Sequence, residues 1–593
     1  MIRLIALRPL RPVLTPSSRR SSRTRLSVAV SCLLVSLGAL SGCSDDESTS
    51  IKGTADTVTA VDGGVDGAGS SDAAAGGDVA AKQALGWVYE SDPVTDNGKT
   101  KQVLLPPIIS QDGTLTGSYA EVRNCLRKEG GAPLEQQGFS FGSLCVEEAT
   151  AKQGADGSWL AFNAPEDASD PGDAFAEVQM YYHVHQMHDF FKGDFGLVDL
   201  DYPLYALVNV SLYINEELGG ILGQTGWTGF PNAAFMPKEA FAQFGLPERE
   251  SGAIVFGQYD DLDFSYDASV IYHEYTHAMV GTTRLLGTLV DAYGLDNLPG
   301  AMNEGFADYF AASFRNSPVI GAYALTAFPG QNLDRDVSKF KKCPDDLITE
   351  VHADGKIIGS TLWALRQELT QPVADGIVLK ALQSFTQQTN MEMAGKFIIA
   401  EAKEVSEEAM TKTKAVLEKH GFVGCIRAKE WTNFYAQSSE EGLPYAFESK
   451  QSLQGGGGAS FPDGLPGFVQ FYVNVPNGAK AVRLSWQVQA GGGGGGFGGG
   501  GGGQAKLGVA VQRDKAVSLN LFGGGTITAE AKAEPAVASG GNQQVTLAGK
   551  CLETTKGRVY VMLLNKGSSA QVPTMEIEVL NDTSTAKTLI TCD

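Results

Sequence analysis

The chain has 593 residues, 43% hydrophobic and 19% charged, the balance of a folded protein with several domains rather than of a disordered one. Its formal charge is −22, and the first 42 residues hold seven arginines and no acid, so the remainder stands at −29. A surface that acidic excludes a nucleic-acid binder and is mildly repelled by anionic lipid.

The arginine-rich start ends at Arg25, and a 15-residue apolar run follows, "LSVAVSCLLVSLGAL", Leu26 to Leu40. A helix needs about 20 apolar residues to cross a membrane, so this run reads as the core of an export signal. It closes on "LSGC", Leu40 to Cys43, which resembles the bacterial lipoprotein cleavage box. That resemblance implies lipidation at Cys43 and a membrane-tethered protein of the cell envelope, with a secreted form as the alternative. Ser44 in place of an aspartate after the lipidated cysteine points towards the outer membrane or cell surface. Residues 1–43 are therefore the signal and lipobox. Residues 44–85, acidic and rich in Gly, Ala and Ser, cannot bury a core and read as a tether.

Residues 86–164 alternate short β-type runs with Gly, Asp and Asn turns, as in "GWVYESDPV" and "GTLTGSYAEVRNC". From 165 to 448 the pattern changes to long apolar-periodic helices, with a few strands such as "LYALVNVSLYI" and "GAIVFGQ" between them. Residues 449–593 turn β again, with strands at sandwich spacing. The tract Gly491 to Gly503 has almost no side chains to pack and reads as a loop between strands. Six cysteines lie beyond the lipobox, Cys125, Cys145, Cys343, Cys425, Cys551 and Cys592, and none forms a CxxC pair. An even number suits disulfides in an oxidising compartment. Pairing each with its nearest neighbour puts one bridge in each region, though this is one of about 15 connectivities.

"SVIYHEYTHAMV", Ser269 to Val280, reads as a buried helix. His273 and His277 are four apart, so their rings share one face and can bind a single zinc ion (Zn2+), with Glu274 beside them to activate water. The plain alternative is a pair of core histidines satisfied by neighbours. Twenty-seven residues after His277 comes "GAMNEGFADYF", where Glu304 and Asp308 are one turn apart on an apolar helix. Two acids on a buried face need partners. A metal would serve Glu304, and the N–H of a ligand histidine would serve Asp308.

HEYTH followed by NEGFAD resembles the gluzincin metallopeptidases, and most closely the fungalysin branch and its bacterial relatives. "FPNAAFMP" is similar to that family's substrate-binding edge strand, and "EVHADGKIIGSTLWALRQEL" to its Glu-Val-His helix. The likeness runs from about Gly86 to Cys425. It implies an α+β, thermolysin-like unit of two lobes, with a β-rich region before it and a β-sandwich after it. His273, His277 and Glu304 would ligate zinc, Glu274 would be the general base, and Asp308 would orient a ligand histidine. His352 would donate to the oxyanion, with Arg335 and Tyr293 as further candidates there, while Asn232 and Ala233 would hold the substrate main chain. The implied activity is a zinc endopeptidase cleaving extracytoplasmic polypeptides, in which water activated at the metal attacks the peptide carbonyl. A monomer is expected.

An aminopeptidase of the same clan is disfavoured, because no Gly-x-Met-Glu-Asn type motif grips a free amine. The reading from another class is an inert peptidase-fold adhesin or wall-binding lipoprotein, against which the complete ligand set argues. His183, His185 and His188 do not share one helical face and read as packing, with His188 and Asp189 hydrogen-bonded inside. "YDDLDFSYD" offers oxygens for calcium (Ca2+), a second candidate cation, but lacks an EF-hand pattern and reads first as a solvated turn. His420 is expected to interact with the last carbonyls of its helix. The C-terminal region resembles the bacterial pre-peptidase C-terminal domain, whose role as binding module, spacer or removable extension stays open.

Overall fold

The structure is a computed structural model. It describes residues 84–592 except 137–138, 218, 220–224, 239–248, 250, 282–283, 286, 328–334, 436–444, 448–460, 491–506, 522–524, 538–541 and 568. Cys43, nearly all of the tether and the poly-glycine tract lie outside the described residues.

The chain is a mixed α+β protein. Its first strands are β1 (Leu85–Val88), β2 (Lys101–Leu104), β3 (Ala120–Leu126), β4 (Pro133–Gln136), β5 (Phe139–Leu144) and β6 (Val146–Glu148). Helix α1 (Phe175–Asp189) follows, and then β7 (Leu204–Ile214), β8 (Gly226–Gly229), β9 (Ala233–Met236), β10 (Ala253–Tyr259) and β11 (Leu262–Asp263). The central sheet runs β11-β10-β7-β3-β6, with β9 on β10 and β8 and β5 on β7. β7 is parallel to both β3 and β10, and its residues are buried almost throughout, as the apolar run "LYALVNVSLYI" requires of a strand covered on both faces. β3 and β6 precede residue 165 and β7 and β10 follow it, so one sheet spans the two regions distinguished by composition.

Helix α2 (Ala268–Val280) starts where Asp267 accepts the Ser269 N–H and stops at Gly281, whose φ of +66 suits a residue without a Cβ. A hairpin, β12 (Leu289–Asp291) and β13 (Gly294–Asp296), leads into α3 (Leu298–Arg315), which has Pro299 in its first turn and Asn316 in the left-handed conformation at its end. Helix α4 (Val351–Leu369) is capped by Glu350, whose carboxylate accepts from the N–H groups of His352 and Ala353. α5 (Gln371–Gln383), α6 (Met391–Val405) and α7 (Glu407–Lys419) complete the seven α-helices of the described residues. Ile358, Leu362 and Leu365 of α4 are fully buried at helical spacing, and α3 and α4 pack against each other.

Beyond Cys425 the chain forms two large sheets, one of six strands beginning with β14 (Ala428–Glu430) and one of seven. Disulfides join Cys125 to Cys145, Cys343 to Cys425 and Cys551 to Cys592.

The remaining histidines are structural, with two corrections. His183 bonds to the Tyr89 carbonyl at 2.8 Å and the Tyr272 hydroxyl at 2.7 Å, and His185 to the Tyr181 carbonyl at 2.9 Å. His188 pairs at 2.9 Å with Asp201, not with a buried Asp189, which is exposed because the helix turns it outward beyond the ring. His420 sits at the end of α7 as expected, but its ring bonds to the Lys341 carbonyl at 2.8 Å in a neighbouring segment rather than to its own helix. In "YDDLDFSYD" the inner acids Asp263 and Asp267 are fully buried and act as caps. Asp263 accepts from the Ser265 N–H, and Asp267 accepts from Ser269, Tyr323 and Ala324 N–H groups.

Candidate active site

One face of α2 carries His273 and His277, and one face of α3 carries Glu304 and Asp308. The two helices pack together and bring these faces into register. The Nε2 atoms of the two histidines are 3.0 Å apart. Glu304 Oε2 lies 3.4 Å from His273 Nε2 and 3.8 Å from His277 Nε2. Among the described residues these three are the one cluster of three or more metal-type ligands, with their donor atoms all within 4.8 Å of one another.

Each donor is aimed by a neighbour. Asp308 Oδ1 lies 2.9 Å from His273 Nδ1, and Asn303 Oδ1 lies 3.0 Å from His277 Nδ1. Both oxygens only accept, so the ring protons sit on Nδ1 and the Nε2 lone pairs face the cluster. Asn303 was missed in the sequence; its position directly before Glu304 was the available signal.

Charge supports the same reading. Burial opposes ionisation of Glu304, yet His352, His277 and His273 around it hold its carboxyl well below the usual range. Burial likewise opposes Asp308, but Arg335 and His273 hold it at about 2. Burial lowers His277, leaving a neutral ring able to ligate. His273 moves the other way: burial and Arg335 work against a proton there, and the neighbouring carboxylates of Asp308 and Glu304 outweigh them. Both acids are thus held ionised beside the histidine nitrogens. Glu304 Oε2 and His352 Nε2 are buried without a hydrogen-bond partner. An orphaned carboxylate oxygen facing imidazole nitrogens fits a cation, and two histidines with one glutamate is a known zinc donor set.

His352, on the first turn of α4, places Nε2 3.4 Å from Glu304 Oε2, while its Nδ1 lies 2.8 Å from Glu350 Oε1. Glu350 therefore both caps the helix and orients the ring, a role the sequence reading did not assign. Arg335 Nη2 donates to Asp308 Oδ1 at 2.5 Å and lies 3.8 Å from Glu304 Oε2. Glu274 is buried, and its Oε2 accepts from the Phe235 N–H of β9 at 2.7 Å. β9 pairs on one side with β10. Asn232 and Ala233, at its start, line a small pocket with Glu274 and the apolar side chains of Val270, Ile320 and Leu325. The Asn232 Nδ2 is buried with no partner.

Tyr293 is not brought to this cluster. It lies at the turn between β12 and β13, 37% exposed, with its carbonyl accepting from Gln470 Nε2. The segment between His277 and Glu304 carries the hairpin β12–β13, which bonds to the C-terminal region through the Tyr293 carbonyl.

Residues 241–401, which include every residue of the cluster, match the fungalysin metallopeptidase family (M36). An extracellular metalloproteinase MEP of Leptosphaeria maculans is 32% identical over 108 residues, 18% of this chain and 15% of that protein. The extracellular metalloproteinase mep of Aspergillus niger is 35% identical over 99 residues, 16% of this chain and 15% of that protein. The similarity thus spans well under a quarter of these relatives. Among solved structures, the precursor of protealysin, a metalloproteinase from Serratia proteamaculans, aligns over 52% of this chain and 90% of its own at 15% identity, with a TM-score of 0.33.

Proposed function

We propose that the chain is a zinc-dependent endopeptidase that acts outside the cytoplasm, of the fungalysin type and with a thermolysin-like two-lobed unit. The observation that carries this reading is the convergence of His273 Nε2, His277 Nε2 and Glu304 Oε2, with the carboxylate oxygen buried and without a hydrogen bond. Those three residues would hold the ion. Bound there, zinc supplies Lewis-acid chemistry, making water acidic near neutral pH and drawing electrons from a carbonyl oxygen.

The chain's own groups do the rest. Glu274, fixed by the Phe235 N–H, takes the proton of the attacking water and passes it to the leaving amine. His352, whose Nδ1 proton is taken by Glu350, donates from Nε2 in its doubly protonated form to the oxygen that becomes negative, an interaction worth about 3 kcal/mol in comparable sites. Arg335 holds Asp308 and through it His273, and as a residue lining the pocket it is suited to a substrate carbonyl as well. The edge strand β9 offers its backbone to an extended peptide, with the free Asn232 Nδ2 as a donor to the substrate main chain. The apolar pocket beside Glu274 would take a hydrophobic side chain next to the scissile bond.

Three disulfides suit an oxidising compartment, and lipidation at Cys43 would hold the enzyme at the envelope through the tether of residues 44–85. We place the boundary between the catalytic unit and the C-terminal β-sandwich near Cys425 rather than at 448, since β14 and the strands after it already belong to the C-terminal sheets. Hydrolysis of casein by the purified chain, measured with and without a chelator and in Glu274→Gln, tests the reading. Chelation should abolish cleavage and zinc should restore it, and Glu274→Gln should keep the metal and lose nearly all turnover. Cleavage by a zinc-loaded Glu274→Gln would overturn the role given to Glu274.

A further inference from the structure

The hairpin β12–β13 joins the helix of the two histidines to the helix of Glu304, and the C-terminal region grips it along both strands. Leu295 is fully buried in a cluster with Phe461, Phe468 and Leu519. The Leu519 N–H donates to the Ala292 carbonyl at 2.8 Å, and Gln470 Nε2 to the Tyr293 carbonyl at 3.2 Å. At Gly294 a Cβ would meet the Gly467 carbonyl at 2.9 Å, so the two backbones are in close contact.

Arg427 locks this junction. It is 6% exposed and stands directly before β14. Its Nη1 and Nη2 each donate at 2.9 Å to one oxygen of Asp291, Nη2 also donates at 2.9 Å to the Leu295 carbonyl, and Nε donates at 3.0 Å to the Phe468 carbonyl. Nη1 lies 3.2 Å from Asp296, whose other oxygen accepts the Leu298 N–H that opens α3. One planar guanidinium therefore ties the C-terminal sheets to both strands of the hairpin and to the first turn of the Glu304 helix. The second catalytic helix is held in the same way. Lys429 Nζ donates to the Leu347 carbonyl at 2.6 Å and the Tyr445 N–H to the Ile348 carbonyl at 3.0 Å, in the segment that leads into Glu350 and His352.

We propose that the C-terminal sheets are a working part of the metal site, not a removable extension, and that Arg427 is a positioning residue that sets Glu304 against His273 and His277. The proposal rests on the zinc-peptidase reading and goes beyond it. A metal centre tolerates little displacement of a ligand-bearing helix, so the effect should appear in metal affinity and kcat before it appears in substrate affinity.

The test uses the full chain, with zinc affinity measured by competition against a chromophoric chelator and with kcat and KM on one peptide. Arg427→Met should weaken zinc binding at least tenfold and lower kcat with little change in KM. Arg427→Lys, which keeps the charge but not the fork, should recover part of both. A Lys566→Ala control, which removes an exposed ion pair to Glu534 elsewhere in the same sheets, should match wild type. Should Arg427→Met fail to fold, Asp291→Asn decides, with a loss of several-fold in zinc affinity expected. Wild-type zinc affinity in folded Arg427→Met, or in Asp291→Asn where that variant decides, would overturn the clamp. A wild-type chain that binds no zinc would overturn the zinc reading beneath it, and the clamp with it.

Discussion

Asp308 Oδ1 and His273 Nδ1 lie 2.9 Å apart in the core between α2 and α3, and Arg335 bonds to the same carboxylate oxygen at 2.5 Å. The three groups form a line of charge behind the candidate zinc ligands. The carboxylate fixes the tautomer of His273, and the guanidinium keeps the carboxylate ionised.

Asp308→Asn keeps the shape of that line and removes its charge. Zinc affinity should fall by about tenfold or more, the usual loss when the partner of a ligand histidine is changed. Chelator competition measures it directly, and an unchanged affinity would mean that His273 is oriented by something other than Asp308.

Glu350→Gln leaves an oxygen to cap α4 and removes the carboxylate that orients His352. Turnover should drop by about tenfold with KM nearly constant, since the bond His352 makes is strongest once charge has built up on the substrate oxygen. A rise in KM at constant kcat would instead place His352 in ground-state binding.

A third prediction concerns stability and pH. Burial lifts the Glu177 carboxyl from 4.5 to about 7, against hydrogen bonds from Thr150 and Ala151 that favour the charged form. Because the folded value lies above the unfolded one, the fold takes up a proton here. Its contribution is complete below pH 4.5 and is lost as pH rises to about 7, corresponding to roughly 3 kcal/mol. Burial lifts Asp173 and Asp263 in the same direction. Glu177→Gln cannot ionise, so its apparent Tm should fall less steeply than that of wild type between pH 4.5 and 7 in thermal scans. Parallel slopes would contradict the assignment.

The residues whose geometry lies within one helix were legible from spacing. His273 with His277, and Glu304 with Asp308, are each one turn apart, and a helix fixes what such pairs share whatever surrounds it. Groups that reach the site from the backbone or from distant sequence left no such trace. The Phe235 N–H on Glu274 carries no side-chain signature, and Glu350 looks like an ordinary helix cap until His352 is seen to turn back on it. The hairpin that carries Tyr293 has a sequence of ordinary turn residues, and its bond to Gln470, 177 residues away, has no trace in the sequence. Asp263 and Asp267 read as part of a solvated turn, because their burial comes from tertiary packing that a short acidic run does not reveal.

Anomalous diffraction at the zinc edge, from crystals of the purified chain, bears most directly on the central claim. One peak about 2.0–2.2 Å from His273 Nε2, His277 Nε2 and a Glu304 oxygen is the result expected. Zinc bound elsewhere, or a Glu304 carboxylate turned away from a metal held by the two histidines, would contradict it.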